Sequence, residues 1–155
     1  MKIELSKDQY NNLITMVAVA GGVFGILGDM LPDKNYKKVS NKMDDLEKYL
    51  LTFVEDFKSS NLAEEFEGEN ILNEKFYENK ILPILSDYEG FSLYDGLANE
   101  LAWRDFRNDH TETEMKKIAK EHGGYFGVPM YDYEKKYWDE FNTYGYERLE
   151  ITDSE

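Results

Sequence analysis

Titratable and aromatic side chains crowd together most densely between Glu100 and His122. Asp105 and Asp109 stand four residues apart, with His110 next and Glu114 four residues beyond it. Two carboxylates one helical turn apart can share general acid/base work when burial raises the pKa of one of them. His110, His122 and a carboxylate could hold zinc or iron. The spacing is not that of HExxH, in which both imidazoles lie on one helix face. A charged helix face balanced by Arg104 and Arg107 accounts for the same residues more simply. An acid/base or metal-dependent enzyme using Asp105, Asp109, His110 and Glu114 is therefore the alternative reading, and no metal or cofactor is expected.

The other motifs exclude more than they offer. Gly21-Gly22-Val23-Phe24-Gly25 has no following Lys-Ser/Thr and no preceding strand, so it is not a phosphate loop. Gly123-Gly124-Tyr125-Phe126-Gly127 reads as a turn. The chain has no cysteine, which removes disulfides, thiolate metal sites and Cys nucleophiles.

Charge points to partners rather than to chemistry. The formal net charge is −14 over 155 residues. Residues 44–70 carry nine acidic groups against two basic ones, while residues 1–43 carry six basic against four acidic. Such a surface repels nucleic acid and anionic membrane and favours cationic partners. Lys34, Lys37, Lys38 and Lys42 make only a small basic patch, well short of a nucleic-acid footprint. The expected interaction surface is Asp44, Asp45, Glu47, Glu55, Asp56, Glu64, Glu65, Glu67, Glu69, Glu74 and Glu78, meeting the basic surface of a partner protein. Carboxylates four apart on a helix lie about 5–6 Å apart at Cβ, comparable to phosphates along a nucleic-acid strand. Glu65/Glu69, Glu74/Glu78 and Asp105/Asp109 have that spacing. The pointed form of the expectation is thus a DNA mimic that fills the basic groove of a host defence nuclease, of the anti-restriction or anti-CRISPR kind.

The elements that would carry these residues read as helices. Ser6-Lys7-Asp8-Gln9 is a capping box. It opens a helix through an uncharged stretch, Gln9 to Gly28, whose Gly21 and Gly25 have the GxxxG spacing of packed membrane helices. The apolar run is short for a span and Asp29 closes it, so a core helix with close glycine contacts is expected. A kink or early end is expected near Gly21-Gly22, and a break at Pro32-Asp33. Tyr36, Val39, Met43, Leu46, Leu50, Phe53 and Phe57 step in heptad register along a second helix. That seam suits the interior of a bundle or a homodimer. Ser59-Ser60-Asn61 ends it, and a Glu-rich connector follows to Asn70.

Asn73 caps a third helix with Tyr77, Ile81, Ile84, Leu85 and Tyr88 inward, kinked or restarted at Pro83. Gly90 breaks it, and Ser92 opens another that runs to about Asn108 with Leu93, Leu97, Ala98, Leu101, Ala102 and Phe106 inward. Thr111 to Glu114 is a second capping box, and Gly123-Gly124 stops its helix. Residues 124–129 read as an irregular loop. Tyr133, Tyr137, Phe141 and Tyr144 mark a last helix stopped by Gly145, and residues 148–151 alternate like an extended tail. The whole is a mainly α chain: one domain over residues 1–155, a bundle of about five to six helices with an irregular C-terminal tail.

Two C-terminal blocks carry a resemblance. They are Leu97-Ala98-Asn99-Glu100-Leu101-Ala102-Trp103-Arg104-Asp105-Phe106, and Lys136-Tyr137-Trp138-Asp139-Glu140-Phe141 leading into Tyr144-Gly145-Tyr146-Glu147-Arg148-Leu149-Glu150-Ile151. Over roughly the last third of the chain they resemble a family of small acidic proteins of gut and other bacteria and their mobile elements. That family has no assigned activity, so the resemblance transfers no functional residue. It implies a soluble bacterial protein, and with the absence of a leader-like start the expected location is the cytoplasm, with no membrane partner.

Overall fold

The computed structural model describes residues 3–150, which leaves Ile151 of the expected tail outside them. The chain is mainly helical, with α1 (Lys7–Met30), α2 (Tyr36–Leu51), a short α3 (Glu74–Phe76), α4 (Leu82–Asp109), α5 (Glu112–Glu121) and α6 (Gly127–Tyr144). A hairpin of β1 (Ala63–Phe66) and β2 (Glu69–Leu72) lies between α2 and α3. The chain divides into two compact units, Met1–Tyr88 and Glu89–Glu155. The division falls inside α4, where no linker composition marks it.

In the first unit, Ser6 caps α1: its Oγ accepts from Gln9 N at 3.2 Å while Gln9 Oε1 accepts from Ser6 N at 2.9 Å. The glycines do not end α1, which runs unbroken to Met30. They form the strip along which α2 approaches. Cβ positions at Gly21 and Gly25 lie 3.7 Å from Met43 Cβ and Ser40 Oγ, and one at Gly28 lies 2.9 Å from Lys37 backbone. α1 is nonetheless long and apolar enough to cross a membrane by length and composition, with a mean hydropathy of 1.9 and 22% of that window buried.

The expected heptad seam is shorter than its pattern. α2 stops at Leu51, and Phe53 and Phe57 lie in the turns that follow, up to Lys58 at φ 54°. The buried positions there are Ser40, Leu51 and Val54, off the seam, while Leu46 is exposed. Seam residues meet α1 of the same chain: Tyr36 stacks with Phe24, and Phe57 stacks on Tyr10 at 4.2 Å. Tyr10, Ile14, Leu51, Val54 and Leu62 form one core cluster, and the Tyr10 hydroxyl donates to Leu50 O at 2.7 Å.

The Glu-rich connector is in fact the hairpin. Ala63 pairs with Leu72 and Phe66 with Glu69, leaving Glu67 and Gly68 as a two-residue loop. Both loop residues have positive φ, 52° and 83°, as a type I′ turn requires. Asn73 then caps α3 as expected, its Oδ1 accepting from Phe76 N at 3.1 Å. Near Pro83 the helix restarts as expected: a π-turn over Tyr77–Ile81 gives way to α4 at Leu82, with Pro83 in its first turn. Pro83 cannot donate to the carbonyl four residues back, and the wider turn accommodates the loss. Ile81 and Leu85 are buried with Ala18, but Tyr77, Ile84 and Tyr88 are exposed, contrary to expectation.

Gly90 and Ser92 do not interrupt α4. In the second unit Ala98, Ala102 and Phe106 point inward while Leu93 is exposed. Phe106 meets Trp103, Phe126 and Tyr133 edge-on at 5.8, 5.9 and 5.5 Å, and Met130 completes this core. Gly123 and Gly124, both at positive φ, close α5 as read from the sequence. α6 begins at Gly127 rather than at Tyr133: Pro129 fits its first turn, where a missing N–H costs nothing. Phe141 is buried, Tyr144 is exposed, and Gly145 at φ 57° ends the helix. Of the expected extended tail, Arg148 lies in the turns over 145–148, and Leu149 and Glu150 are irregular rather than a strand.

Candidate functional site

The predicted acidic residues do not spread evenly. α2, β1 and α3 bring Asp44, Glu47, Glu64 and Glu74 together around a cavity of about 570 Å³ whose floor is Gly21 and Gly22 of α1. A Cβ on Gly21 would point toward Met43 and Asp44 of α2, 3.7 and 3.8 Å away, and one on Gly22 would meet Leu85. Tyr77, Ile71 and Leu72 supply the remaining wall, and among the described residues no lysine or arginine lines it. Glu64 is positioned by the hairpin register, opposite Ile71, and its Oε2 accepts from Asn73 Nδ2 at 2.8 Å. Glu47 is only half-buried, yet its burial, reinforced by the charge of Asp44, raises its carboxyl above the usual glutamate range.

Two more predicted carboxylates, Glu65 and Glu69, line a second cleft of about 470 Å³ with Tyr49, where Glu69 is neutralised by Lys48 at 2.9 Å. This ion pair is exposed, and the Lys48 ammonium lowers the Glu69 pKa. Asp45, Glu55, Asp56, Glu67 and Glu78 are exposed and line neither cavity. Of the three pairs with phosphate-like spacing, Glu65/Glu69 lies across the hairpin and Glu74/Glu78 spans α3 and the π-turn. Only Asp105/Asp109 shares a regular helix.

In the second unit, Asp105 and Asp109 do face one cavity, of about 450 Å³, together with Asp132, Tyr133 and Lys136 of α6. Asp105 is the centre of a network. Its Oδ2 accepts from the Tyr137 hydroxyl at 2.5 Å and from Lys136 Nζ at 3.0 Å, and its Oδ1 accepts from Arg104 Nη2 at 2.9 Å. These donors, Tyr137 first, hold the Asp105 carboxyl far below the ordinary aspartate range. A carboxylate held this way is a fixed acceptor that positions α6 against α4, and it takes up no proton near neutrality. Asp109 Oδ2 accepts from the Tyr133 hydroxyl at 3.0 Å.

His110 and Glu114 are engaged elsewhere. The His110 ring stacks on Phe106 at 4.2 Å and its Nδ1 lies 2.9 Å from Phe106 O. Glu114 Oε2 accepts from both the N–H and the hydroxyl of Thr111, which cap α5. His122 stands at the far end of α5 as its C-cap. Among the described residues no three His, Asp or Glu side chains are arranged to hold a metal ion.

Tyr133, Lys136 and Tyr137 were missed as partners of Asp105 and Asp109, and Asp132 as their neighbour in the cavity, because the partners lie 24 to 32 residues away along the chain. Tyr77 and the glycine floor were missed as parts of the acidic cavity. A glycine pair opposite an acid-rich helix was the signal available for it. Neither a protein family, nor a curated protein, nor a solved structure matches the chain.

Proposed function

We propose that the chain is a non-enzymatic binding protein whose acidic first unit receives the basic surface of a partner protein. The observation that carries this reading is the convergence of Asp44, Glu47, Glu64 and Glu74 on one cavity without a cationic side chain among the described residues of its lining. Carboxylates held together repel one another, and an incoming ammonium or guanidinium relieves that repulsion. Tyr77 adds an aromatic wall suited to an alkylammonium or guanidinium group. A nucleic acid or an anionic membrane meets only like charge here.

Inhibition of a nuclease by occupying its DNA groove is the narrower form of this proposal. Most of the phosphate-like spacing in the sequence falls on the hairpin and the π-turn, so the narrower form relies on the clustered charge of the first unit rather than on a helical ladder.

The test is titration of the protein with a fluorescent oligolysine peptide at low and high salt. Binding that weakens steeply with salt, and weakens further in the double variant Glu47→Gln/Glu74→Gln, is expected. Absence of binding at low salt, or binding indifferent to that double variant, would refute the proposal. Displacement of labelled DNA from a basic-groove nuclease tests the narrower form.

A further inference from the structure

Beside the acidic cavity lies an apolar groove of about 250 Å³ lined by Val19 and Val23 of α1 and by Ile84, Leu85 and Tyr88 of the first turns of α4. The two depressions adjoin. The cavity takes Ala18, Gly21 and Gly22 of α1, the groove takes Val19 and Val23, and Leu85 rests directly over Gly22. Ile84 and Tyr88 are 45% and 62% exposed, and Met16 and Ile26 of α1 are 68% and 46% exposed. Apolar side chains lying open along an uncharged helix mark an interaction surface.

We infer that this groove and the adjoining acidic cavity together receive a basic amphipathic helix of a partner protein, its apolar stripe between α1 and α4 and its flanking lysines or arginines among Asp44, Glu47 and Glu74. The inference rests on the proposal that the first unit binds a basic partner, and it adds the shape of that partner. A groove between two helices accepts a third through apolar side chains at i, i+3, i+4 and i+7. Charge complementarity selects the occupant. A second copy of this chain would bring another net charge of −14 to the same rim. An anionic lipid surface would meet like charge, and burying α1 in a bilayer would strip its glycine face from α2. A basic helix satisfies the apolar stripe and the unneutralised carboxylates at once.

The probe is a synthetic helix of about 18 residues with leucine at the four stripe positions and lysine elsewhere. Its controls are the same helix with glutamate in place of lysine, and a leucine-free lysine peptide. Anisotropy should show the leucine/lysine helix binding about tenfold or more tighter than the leucine-free peptide. Ile84→Asp and Tyr88→Ser, both at exposed positions, should abolish that advantage while circular dichroism stays unchanged. Glu47→Gln/Glu74→Gln should weaken both lysine peptides.

Equal binding of the two lysine peptides, untouched by Ile84→Asp, overturns the inference and leaves the acidic proposal standing. Failure of every lysine peptide to bind overturns both. Equal binding of the glutamate helix overturns the charge argument. A dimer in sedimentation that Ile84→Asp dissociates, or flotation with phosphatidylcholine vesicles that Ile84→Asp abolishes, assigns the groove to a second copy or to a lipid surface and likewise overturns it.

Discussion

Gly28 lies so close beneath Lys37 that a Cβ on it would stand 2.9 Å from both the Cα and the N of Lys37. The contact is with backbone, so relief requires α1 and α2 to separate at the turn that joins them. Gly28→Ala is expected to cost about 1–3 kcal/mol in urea unfolding. Gly22→Ala should cost less, because the atom it meets is the flexible end of Leu85 at 2.7 Å. Gly96→Ala, in α4 with nothing within 4 Å and no positive φ, should gain about 0.5–1 kcal/mol. An unchanged unfolding midpoint for Gly28→Ala would refute the role given to the glycine strip.

Asp105 provides a pH signature for the second unit. Its folded pKa is depressed below the unfolded value, so its contribution to stability is present above the ordinary aspartate range and is lost as pH falls through the folded value. Asp105→Asn should remove that part of the acid slope. The cost near neutrality is about 1 kcal/mol, kept small because Arg104 and Lys136 are largely open to solvent, at 58% and 65% side-chain exposure. Tyr137→Phe removes the first donor and should move the Asp105 carboxyl back toward ordinary values in an NMR titration. No movement would show that the hydroxyl is not what holds it.

What could be read from the sequence was local, and what could not was tertiary. The caps at Ser6, Asn73 and Thr111 depend on residues three positions away, and all three form. Gly145 and Gly123-Gly124 stop their helices for the same local reason. Gly90 and Ser92 look like a break, yet α4 passes through them, since neighbouring apolar positions at Ala98 and Ala102 bury within one continuous helix. The acidic residues were legible as a surface but not as a cavity, because Asp44 and Glu64 meet only once a hairpin folds over α2. That hairpin was hidden by its composition: four glutamates suggest a solvated connector, and Glu67 replaces the usual Asn or Asp of an I′ turn.

The hairpin turn itself is open to test. Glu67 holds φ 52°, a conformation that costs most L-residues about 1–2 kcal/mol and asparagine less. Glu67→Asn should therefore raise the unfolding midpoint. Gly68→Ala, at φ 83°, should lower stability by about 1–2 kcal/mol. Because β1 carries Glu64 to the cavity, Gly68→Ala should also weaken oligolysine binding although it removes no charge. If both substitutions leave stability and binding unchanged, the positive-φ turn does not control the register.

Glu47 links the cavity to pH in the opposite sense from Asp105. Burial, and then Asp44, raise its folded pKa above the ordinary glutamate range, so the folded state binds the proton more tightly than the unfolded chain does. Its contribution to stability therefore falls as pH rises from that range through the folded value. Glu47→Gln should be more stable than the parent near neutrality by about 0.2–0.5 kcal/mol, and that difference should vanish at acid pH, where the Glu47 carboxyl is protonated in both the folded and the unfolded chain. A bound ammonium favours the ionised carboxylate and lowers that pKa, so binding must release protons within the same window. Affinity for oligolysine should accordingly rise with pH through the window and level off above it. Calorimetry in buffers of different ionisation enthalpy reads the released protons directly. Glu47→Gln should abolish the release while leaving salt-dependent binding by Asp44, Glu64 and Glu74 partly intact. Proton release that persists in Glu47→Gln would place the cation elsewhere on the acidic surface, away from the glycine floor.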